Sequence, residues 1–376
     1  MTIFIVANSS WGIYNFRRNL ASSLKEAGYE VYLIFPYSNE DKYFKELSNE
    51  FSCLKLQIWP NSSNPFKDLT TFVHLSFFIA RYKPKYILNF TIKPNLYGSL
   101  SSRLFKKKYI NNITGLGTVF IKKTLLSKLV IRLYKFALYS SECVFFQNED
   151  DLKLFKNNKI IKNSTLTKIL PGSGVDINKF SFEEMKEKNV VEFLYIGRMI
   201  FEKGLYELIE AIEMVKQKTD KKITFKFLGD IDPKNPRAIS KSEIDYWVKS
   251  GLISYSGFTD NIYKHLIKCD CLILPSYREG MPRTVLEAFA VGRPAIVFDV
   301  PGCREIVDGK TGIKCKDISP SSLAEAILKM ANTNFNTRKK LGANARKLVV
   351  KSYDEQKVIN QYLGLIQDSE KNEKTI

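Results

Sequence analysis

Along the first half of the chain, short apolar runs alternate with longer stretches of helical period. Residues 2–7, 30–35, 86–90 and 143–147 are runs rich in β-branched and aromatic side chains, the pattern of buried strands. Residues 17–27, 69–82, 96–105 and 125–139 read as helices between or after them. Such alternation predicts an α/β fold with a parallel sheet covered on both faces. A Pro/Gly cluster at 169–176 and a polar stretch at 181–189 then interrupt the pattern. It restarts with strands at 191–196, 224–228, 253–255, 271–275 and 295–299. Helices at 206–216, 262–268, 283–291 and 321–331 alternate with them. The domain boundary is placed near residue 171: an N-terminal domain over 1–170, a C-terminal domain over 171–352, and a C-terminal segment over 353–376. That segment holds a final helix, 354–366, and a polar tail, 369–376, expected to fray. No internal repeat of short period is present.

Composition sharpens this only modestly. A chain of 376 residues with 44% hydrophobic content suits two domains, each with its own core. Mean hydropathy of −0.18 describes a globular protein. Residues 1–7 are apolar but lack a basic leader, so they read as a buried first strand and not a signal peptide. No apolar run reaches the roughly 18 residues needed to span a bilayer. The most apolar region, 125–139, is broken by Lys128, Arg132 and Lys135. Cys53, Cys143, Cys269, Cys271, Cys303 and Cys315 are scattered, and the pair at 269 and 271 has no second close pair beside it. Reduced thiols in a cytoplasmic protein are expected, and zinc is not.

Charge changes the picture more. The formal net is +19, of which residues 1–170 carry +14 and the remainder +5. Between Asp68 and Glu142 there is no acidic residue and there are thirteen basic ones. A field of one sign this strong implies an anionic partner surface.

The candidate chemistry centres on Arg278-Glu279-Gly280-Met281-Pro282-Arg283-Thr284-Val285-Leu286-Glu287. Two carboxylates flank a helix start, with Gly280 permitting close approach and Pro282 suited to the first helical position. Val285, Leu286 and Phe289 supply the apolar face; Gly292 and Pro294 end the helix. Unpaired N–H groups at such a start attract anions. A ligand with an anionic middle and hydroxyl-rich ends, as a nucleotide-sugar has, would fit between Glu279 and Glu287.

Earlier, strand 191–196 runs into Gly197-Arg198 and then Lys203-Gly204, two glycines bracketing two cations at a carboxyl end. Ligands of open α/β sheets bind there. Arg198 can grip two phosphate oxygens and Lys203 can act as a point charge. Gly229 and the turn Gly257-Phe258-Thr259 close neighbouring strands and offer walls for a base or ribose. Asp230-Ile231-Asp232 matches the Asp-x-Asp pattern by which many sugar transferases hold a metal. So short a pattern arises often by chance, and two cations with a helix start neutralise a diphosphate without one. No metal and no cofactor are therefore expected.

In the first half, the loop from Asn8 through Gly12, Tyr14 and Asn15 to Arg17 follows the first strand. Lys93 lies in an extended pre-proline stretch and is either solvated or set to meet an acceptor phosphate. Gly115-Leu116-Gly117 lacks the third glycine of a dinucleotide fingerprint, Phe120 standing in its place, which excludes an NAD reading. His74 and His265 sit in helical stretches as ordinary helix residues, and no Ser-His-Asp or Cys-His set emerges.

Taken in order and at these distances, Gly197-Arg198…Lys203-Gly204, Leu228-Gly229-Asp230, Gly257-Phe258-Thr259 and Glu279-Gly280-Met281-Pro282…Glu287-Ala288 resemble family 4 of the retaining, GT-B-fold glycosyltransferases. Ile13-Tyr14-x-Phe16-Arg17, Lys93-Pro94-Asn95, Tyr97-Gly98 and Thr114-Gly115-Leu116-Gly117 are similar to the bacterial members that extend undecaprenyl-diphosphate-linked sugars, including those of protein N-glycosylation.

The resemblance implies two Rossmann-like domains facing a cleft. The first would take the acceptor and the membrane surface, the second a UDP-sugar, and the last helix would cross back to brace the first. Arg198 and Lys203 would stabilise the departing diphosphate, and Glu279 would hold donor hydroxyls beside Gly280, Met281 and Pro282. Thr284 and Val285 would offer backbone donors, Glu287 would hold the ribose, and Gly257, Phe258 and Thr259 would meet the uracil. Gly12, Gly197 and Gly229 would complete the donor site. Tyr14, Asn15, Arg17, Lys93, Gly115 and Gly117 would meet the acceptor. The implied reaction moves a sugar, an N-acetylhexosamine such as N-acetylgalactosamine, onto an undecaprenyl-diphosphate-linked saccharide at the cytoplasmic membrane face.

Helix 125–139 is expected to lie in the membrane interface with its lysines outward. Many members carry a histidine near the sugar, where this chain has Thr91-Ile92-Lys93. A non-hydrolysing UDP-sugar epimerase shares the fold and the donor and stands as the alternative. Nothing here resembles a nucleic-acid module, so nucleic acid is not an expected partner.

Overall fold

The computed structural model describes the chain apart from Asn61, Ser63, residues 117–124, Lys234, residues 375–376 and the side chains of 125–127 and 374. Gly117, expected at the acceptor, lies outside the described residues. The chain divides into two compact units, Met1–Ser173 with Val358–Ile376, and Gly174–Lys357.

The first unit holds β1 (Thr2–Val6), β2 (Glu30–Phe35), β3 (Ser52–Lys55), β4 (Tyr86–Phe90), β5 (Lys108–Ile113), β6 (Cys143–Phe146) and β7 (Thr167–Ile169). They form one sheet in the order β3-β2-β1-β4-β5-β6-β7, with every neighbouring pair parallel. The helices of this part of the chain are α1 (Ser10–Phe16), α2 (Arg18–Glu26), α3 (Lys42–Ser48), α4 (Pro65–Tyr82), α5 (Ser99–Leu104), α6 (Leu125–Ala137) and α7 (Glu149–Asn157). Ile3 and Ile5 of β1 join the core on one sheet face, while Phe4 and Val6 pack with Leu75, Phe78 and Ile79 of α4 on the other. A strand covered on both faces is apolar throughout, which is why it reads as a continuous run.

The second unit holds β8 (Val191–Ile196), β9 (Ile223–Leu228), β10 (Ser254–Tyr255), β11 (Cys271–Leu274), β12 (Ala295–Phe298) and β13 (Gly312–Cys315), ordered β10-β9-β8-β11-β12-β13. These pairs are also all parallel. Its helices are α8 (Leu205–Lys218), α9 (Lys241–Lys249), α10 (Tyr263–Leu266), α11 (Arg283–Ala290), α12 (Pro320–Asn332) and α13 (Phe335–Ser352). α14 (Glu355–Lys374) begins in this unit and continues as part of the first. Two parallel doubly wound sheets make this a GT-B fold.

Several elements differ from expectation for identifiable reasons. The stretch after β1 is not a loop: Ser9 caps α1 by accepting from the Gly12 amide at 3.1 Å. α4 starts before residue 69 because Asn64 caps it, accepting from the Phe66 amide at 2.9 Å, with Pro65 in the first turn. Pro94–Gly98 is one π-helical turn that passes directly into α5.

β5 was not expected as a strand, since Asn111 and Asn112 interrupt its apolar run; both are fully buried and hydrogen-bonded. The polar tail does not fray at 369 but stays helical to Lys374. Glu373 bridges Lys85 at 2.8 Å and Lys108 at 2.7 Å, and Ser369 Oγ accepts from Lys108 at 2.6 Å. Val358, Ile359, Tyr362 and Ile366 of α14 lie in the core of the first unit. All six cysteines are free thiols.

Candidate active site

Each sheet has one point where strand order reverses, and loops from the two strands flanking it diverge to leave a crevice at the carboxyl ends. In the second unit that point lies between β8 and β11, paired through Phe193↔Cys271 and Leu194↔Leu272. β8 leads into Gly197-Arg198 and Lys203-Gly204; β11 leads into Glu279 and α11. The sheet therefore brings together two segments some eighty residues apart in sequence.

Backbone proximity at these strand ends sets the glycine positions. Gly229 has φ 153° and sits so close to the Gly197 carbonyl that a Cβ would lie 1.7 Å from it. Its amide donates to the Gly257 carbonyl at 2.9 Å, so the ends of β8, β9 and β10 are stitched side by side. Gly204, at φ 66°, opens α8, and a Cβ there would lie 2.0 Å from the Pro275 carbonyl. Only glycine fits such positions. They hold the Lys203 turn against the end of β11.

On this frame, Lys203 Nζ forms an ion pair with Glu279 Oε1, both side chains being largely buried. The Glu279 amide donates to the Pro301 carbonyl at 3.0 Å, which fixes the loop from behind. Arg198 is exposed; its carbonyl accepts from the buried Tyr195 hydroxyl at 2.9 Å. Gly280 is buried and Met281 is half-buried. Pro282 is the residue before the helix and not its first residue, with φ −74° and ψ 102°. α11 starts at Arg283, Thr284 is half-buried and Val285 is buried in the core.

Glu287 is 6% exposed. Its Oε1 accepts from Arg283 Nε at 3.0 Å, and Arg283 Nη1 also donates to the Gly174 carbonyl at 2.5 Å. Burial pushes the Glu287 carboxyl up and Arg283 pulls it back. Arg283 is a member of this cluster that the sequence reading passed over. Its spacing of four residues from Glu287 on one helix was the available signal. The Gly257 turn presents Phe258 half exposed, and Thr259 Oγ1 accepts from the Asn261 amide at 3.1 Å. Among the described residues, no three His, Cys, Asp or Glu side chains gather as a metal site would require.

In the first unit the order reverses between β1 and β4. Gly12, Tyr14 and Asn15 lie on α1, with Asn15 Nδ2 donating to the Trp11 carbonyl at 3.1 Å. Tyr14 sits among Glu46, Arg18 and Tyr43; its hydroxyl is pushed up by a hydrogen bond to Glu46 and by burial. Arg17 is buried at 5% exposure, with its guanidinium 4.1 Å over the Phe90 ring. Lys93 is not solvated: Nζ lies 2.6 Å from Asp68 Oδ1 and 2.6 Å from the Ser62 carbonyl. Gly115 has φ 137°. His74 Nδ1 accepts from the Gln57 amide at 3.3 Å, a structural role.

Comparison with known proteins bears on the family and the fold. The model of glycosyl transferases group 1 matches residues 176–348, and that of glycosyl transferase 4-like proteins matches residues 2–148. The chain belongs to family 4 of the GT-B glycosyltransferases. One relative is the N,N'-diacetylbacillosaminyl-diphospho-undecaprenol alpha-1,3-N-acetylgalactosaminyltransferase of Campylobacter jejuni, 27% identical, covering 97% of this chain and 98% of the relative. Another is the capsular polysaccharide biosynthesis glycosyltransferase CapM of Staphylococcus aureus, 22% identical over 89% of this chain and 88% of CapM.

Among solved structures, sucrose-phosphate synthase from Thermosynechococcus elongatus superimposes with TM-score 0.82 at 18% identity, covering 98% of each chain. Anabaena Alr3699/HepE in complex with UDP-glucose does so with TM-score 0.76 at 16% identity, covering 98% of this chain and 100% of its own. This family 4 protein is thus a glycosyltransferase of glycan assembly. Among the described residues, no helix is long and apolar enough to cross a membrane.

Proposed function

We propose that the enzyme transfers a sugar, an N-acetylhexosamine such as N-acetylgalactosamine, from a UDP-sugar to an undecaprenyl-diphosphate-linked saccharide, with retention at the anomeric carbon. The observation that carries the donor half is the meeting of Lys203, Glu279 and the Glu287–Arg283 pair around the start of α11, beside the switch point of the second sheet. Likeness to the Campylobacter jejuni transferase along 97% of this chain supports the acceptor class and the sugar.

In this reading the diphosphate takes the place of Glu279 as the partner of Lys203, and Arg198 swings onto it from solvent. Glu279, released, accepts hydrogen bonds from hydroxyls of the sugar. Glu287, oriented by Arg283, accepts from the ribose hydroxyls, and the Gly257–Thr259 turn meets the uracil. Gly280, Met281, Pro282, Thr284 and Val285 line the path between sugar and phosphates, and Gly197 and Gly229 leave room for them. Two carboxylates acting as in a double displacement would require a nucleophile on the far face of the sugar. Glu287 is committed to Arg283 and this reading assigns Glu279 to the sugar hydroxyls, which leaves no carboxylate for that role, so attack on the same face, led by the departing diphosphate, is the mechanism we favour. The diphosphate accumulates charge as it leaves, and preorganised cations lower that barrier without a metal.

Tyr14, Asn15, Arg17, Lys93 and Gly115 stand at the acceptor end of the first unit, whose basic surface faces anionic lipid on the cytoplasmic side. The comparisons lend no support to the epimerase alternative. The test is a screen of UDP-sugars with a lipid-diphosphate-linked saccharide, reading UDP release and product mass. Transfer to the acceptor with retained configuration is expected. A changed sugar-nucleotide formed from donor alone would replace this reading by the epimerase.

A further inference from the structure

α4 is apolar on two opposite sides, and only one of them is used by the fold. Thr71, Leu75, Phe78 and Ile79 turn inward and are buried. Phe66, Leu69, Val73 and Phe77, at spacings of three, four and four residues, turn outward and are 79%, 57%, 56% and 59% exposed. At about 100° per residue these four fall within an arc of roughly 80° opposite the core. An apolar stripe of four large side chains on one exposed helix is more than scattered surface apolarity.

Neighbouring helices expose further large apolar side chains. α5 lies between α4 and α6 and touches both. Leu104 of α5, Leu129 and Phe136 of α6 and the following Tyr139 are 61%, 53%, 60% and 54% exposed. The Arg103 guanidinium stands 4.2 Å from the Phe136 ring and 5.4 Å from the Tyr139 ring. Trp59, 37% exposed, carries Lys67 Nζ 5.4 Å over its ring near the start of α4.

Charge decides what covers this face. Arg81, Lys83, Lys106, Lys128, Arg132 and Lys135 are exposed on or beside these helices, in the segment that lacks any acidic residue. A second copy of a chain carrying +19 would bring like charge against like. An anionic lipid surface attracts each such cation and also accepts apolar side chains below its headgroups.

We infer that α4 is a monolayer-inserting helix: it lies flat in the interface of an anionic membrane with Phe66, Leu69, Val73 and Phe77 in the acyl boundary. Arg103, Lys106 and the cations of α6 then sit at headgroup level. The expectation for helix 125–139 alone is thereby widened to a surface led by α4. This rests on the lipid-linked acceptor proposed above, because it brings the enzyme to the plane where such an acceptor lies.

Flotation of the full chain with vesicles of phosphatidylglycerol and phosphatidylcholine tests it. Wild type should float with them and not with phosphatidylcholine alone. The Phe66→Gln/Phe77→Gln variant should lose binding by about tenfold or more. Its unfolding temperature, and its transfer to a short-chain, water-soluble lipid-diphosphate acceptor, should be unchanged. A Phe66→Trp reporter should shift its emission to the blue on vesicles and be quenched by brominated lipid. Flotation of the double variant at the wild-type level, or an unshifted reporter, overturns the inference. So does dissociation of a dimer by the double substitution with flotation intact, which makes a second copy the occupant. Failure of the transferase reading registers separately, as absence of sugar transfer by wild type to either acceptor.

Discussion

Lys203 and Glu279 form an ion pair, and that pairing makes each a sensitive site for substitution. In the proposed mechanism, replacing Lys203 by Ala removes one preorganised donor to the leaving group, for which a loss of roughly 10²–10³ in turnover is expected. The unfolding temperature should also fall, since the largely buried Glu279 carboxylate loses this ion-pair partner, while the protein stays folded at the assay temperature. Steady-state kinetics beside a thermal melt checks both, and near-normal turnover would take Lys203 out of the mechanism. The Arg283→Gln variant probes the second pair. In the proposed reading Glu287 binds ribose as a carboxylate; burial raises its pKa while Arg283 opposes the rise. Donor affinity should therefore weaken as pH falls through that raised pKa. Without Arg283 the weakening should begin at higher pH, with KM for donor rising and kcat less affected. A pH series of donor KM for both proteins decides it. At this scale the sequence named the carboxylates and cations. It did not show that Lys203 meets Glu279, or that Lys93 is held by Asp68, because partners across a fold leave no mark in local spacing.

Elements were legible wherever burial leaves a period. β1, β4, β8 and β12 are apolar runs because helices cover both of their faces. β5 was hidden because Asn111 and Asn112 lie in its middle. The fold tolerates them, since Asn111 Nδ2 donates to Ser99 Oγ at 2.8 Å and Asn112 Nδ2 to the Tyr362 hydroxyl at 2.7 Å. The strand ends are less forgiving. Gly229→Ala would place a Cβ against the Gly197 carbonyl at a φ that side chains resist. A loss of roughly 1–3 kcal/mol is expected from that strain. Chemical denaturation measures it, and donor affinity should fall in parallel because the ends of β8 and β9 must part.

At the scale of the whole chain, the last helix passes from the second unit into the first. Tyr362 of α14 is fully buried in the first unit. Tyr362→Ala should cost about 3–5 kcal/mol by analogy with other large aromatic truncations, read as an earlier denaturation midpoint. The end of the same helix is held by charge. Glu373 is lowered to about 2 by hydrogen bonds to Lys108 and Lys85. A depressed carboxyl stabilises above its unfolded pKa and loses that contribution as pH falls through its folded one. The last turns of α14 should thus be retained near neutral pH and fray between pH 4.5 and about 2. Proteolysis or amide exchange at the C-terminus follows this. High salt should cause the same loss at neutral pH, since the carboxylate is exposed.

By itself the sequence determined the class of fold, the interruption of the pattern over 169–189 and its restart at 191, the motif set that marks the family, and the one-sided charge of the first half. Each of these is written locally, in periodicity, composition or fixed spacing. Only the tertiary structure decided that β8 and β11 are neighbours at a switch point, that Arg283 serves Glu287, and that α4 keeps an uncovered apolar side. Those facts depend on which strand pairs with which and which face of a helix is covered. A period in the sequence says that a face is apolar; only packing says whether anything lies against it.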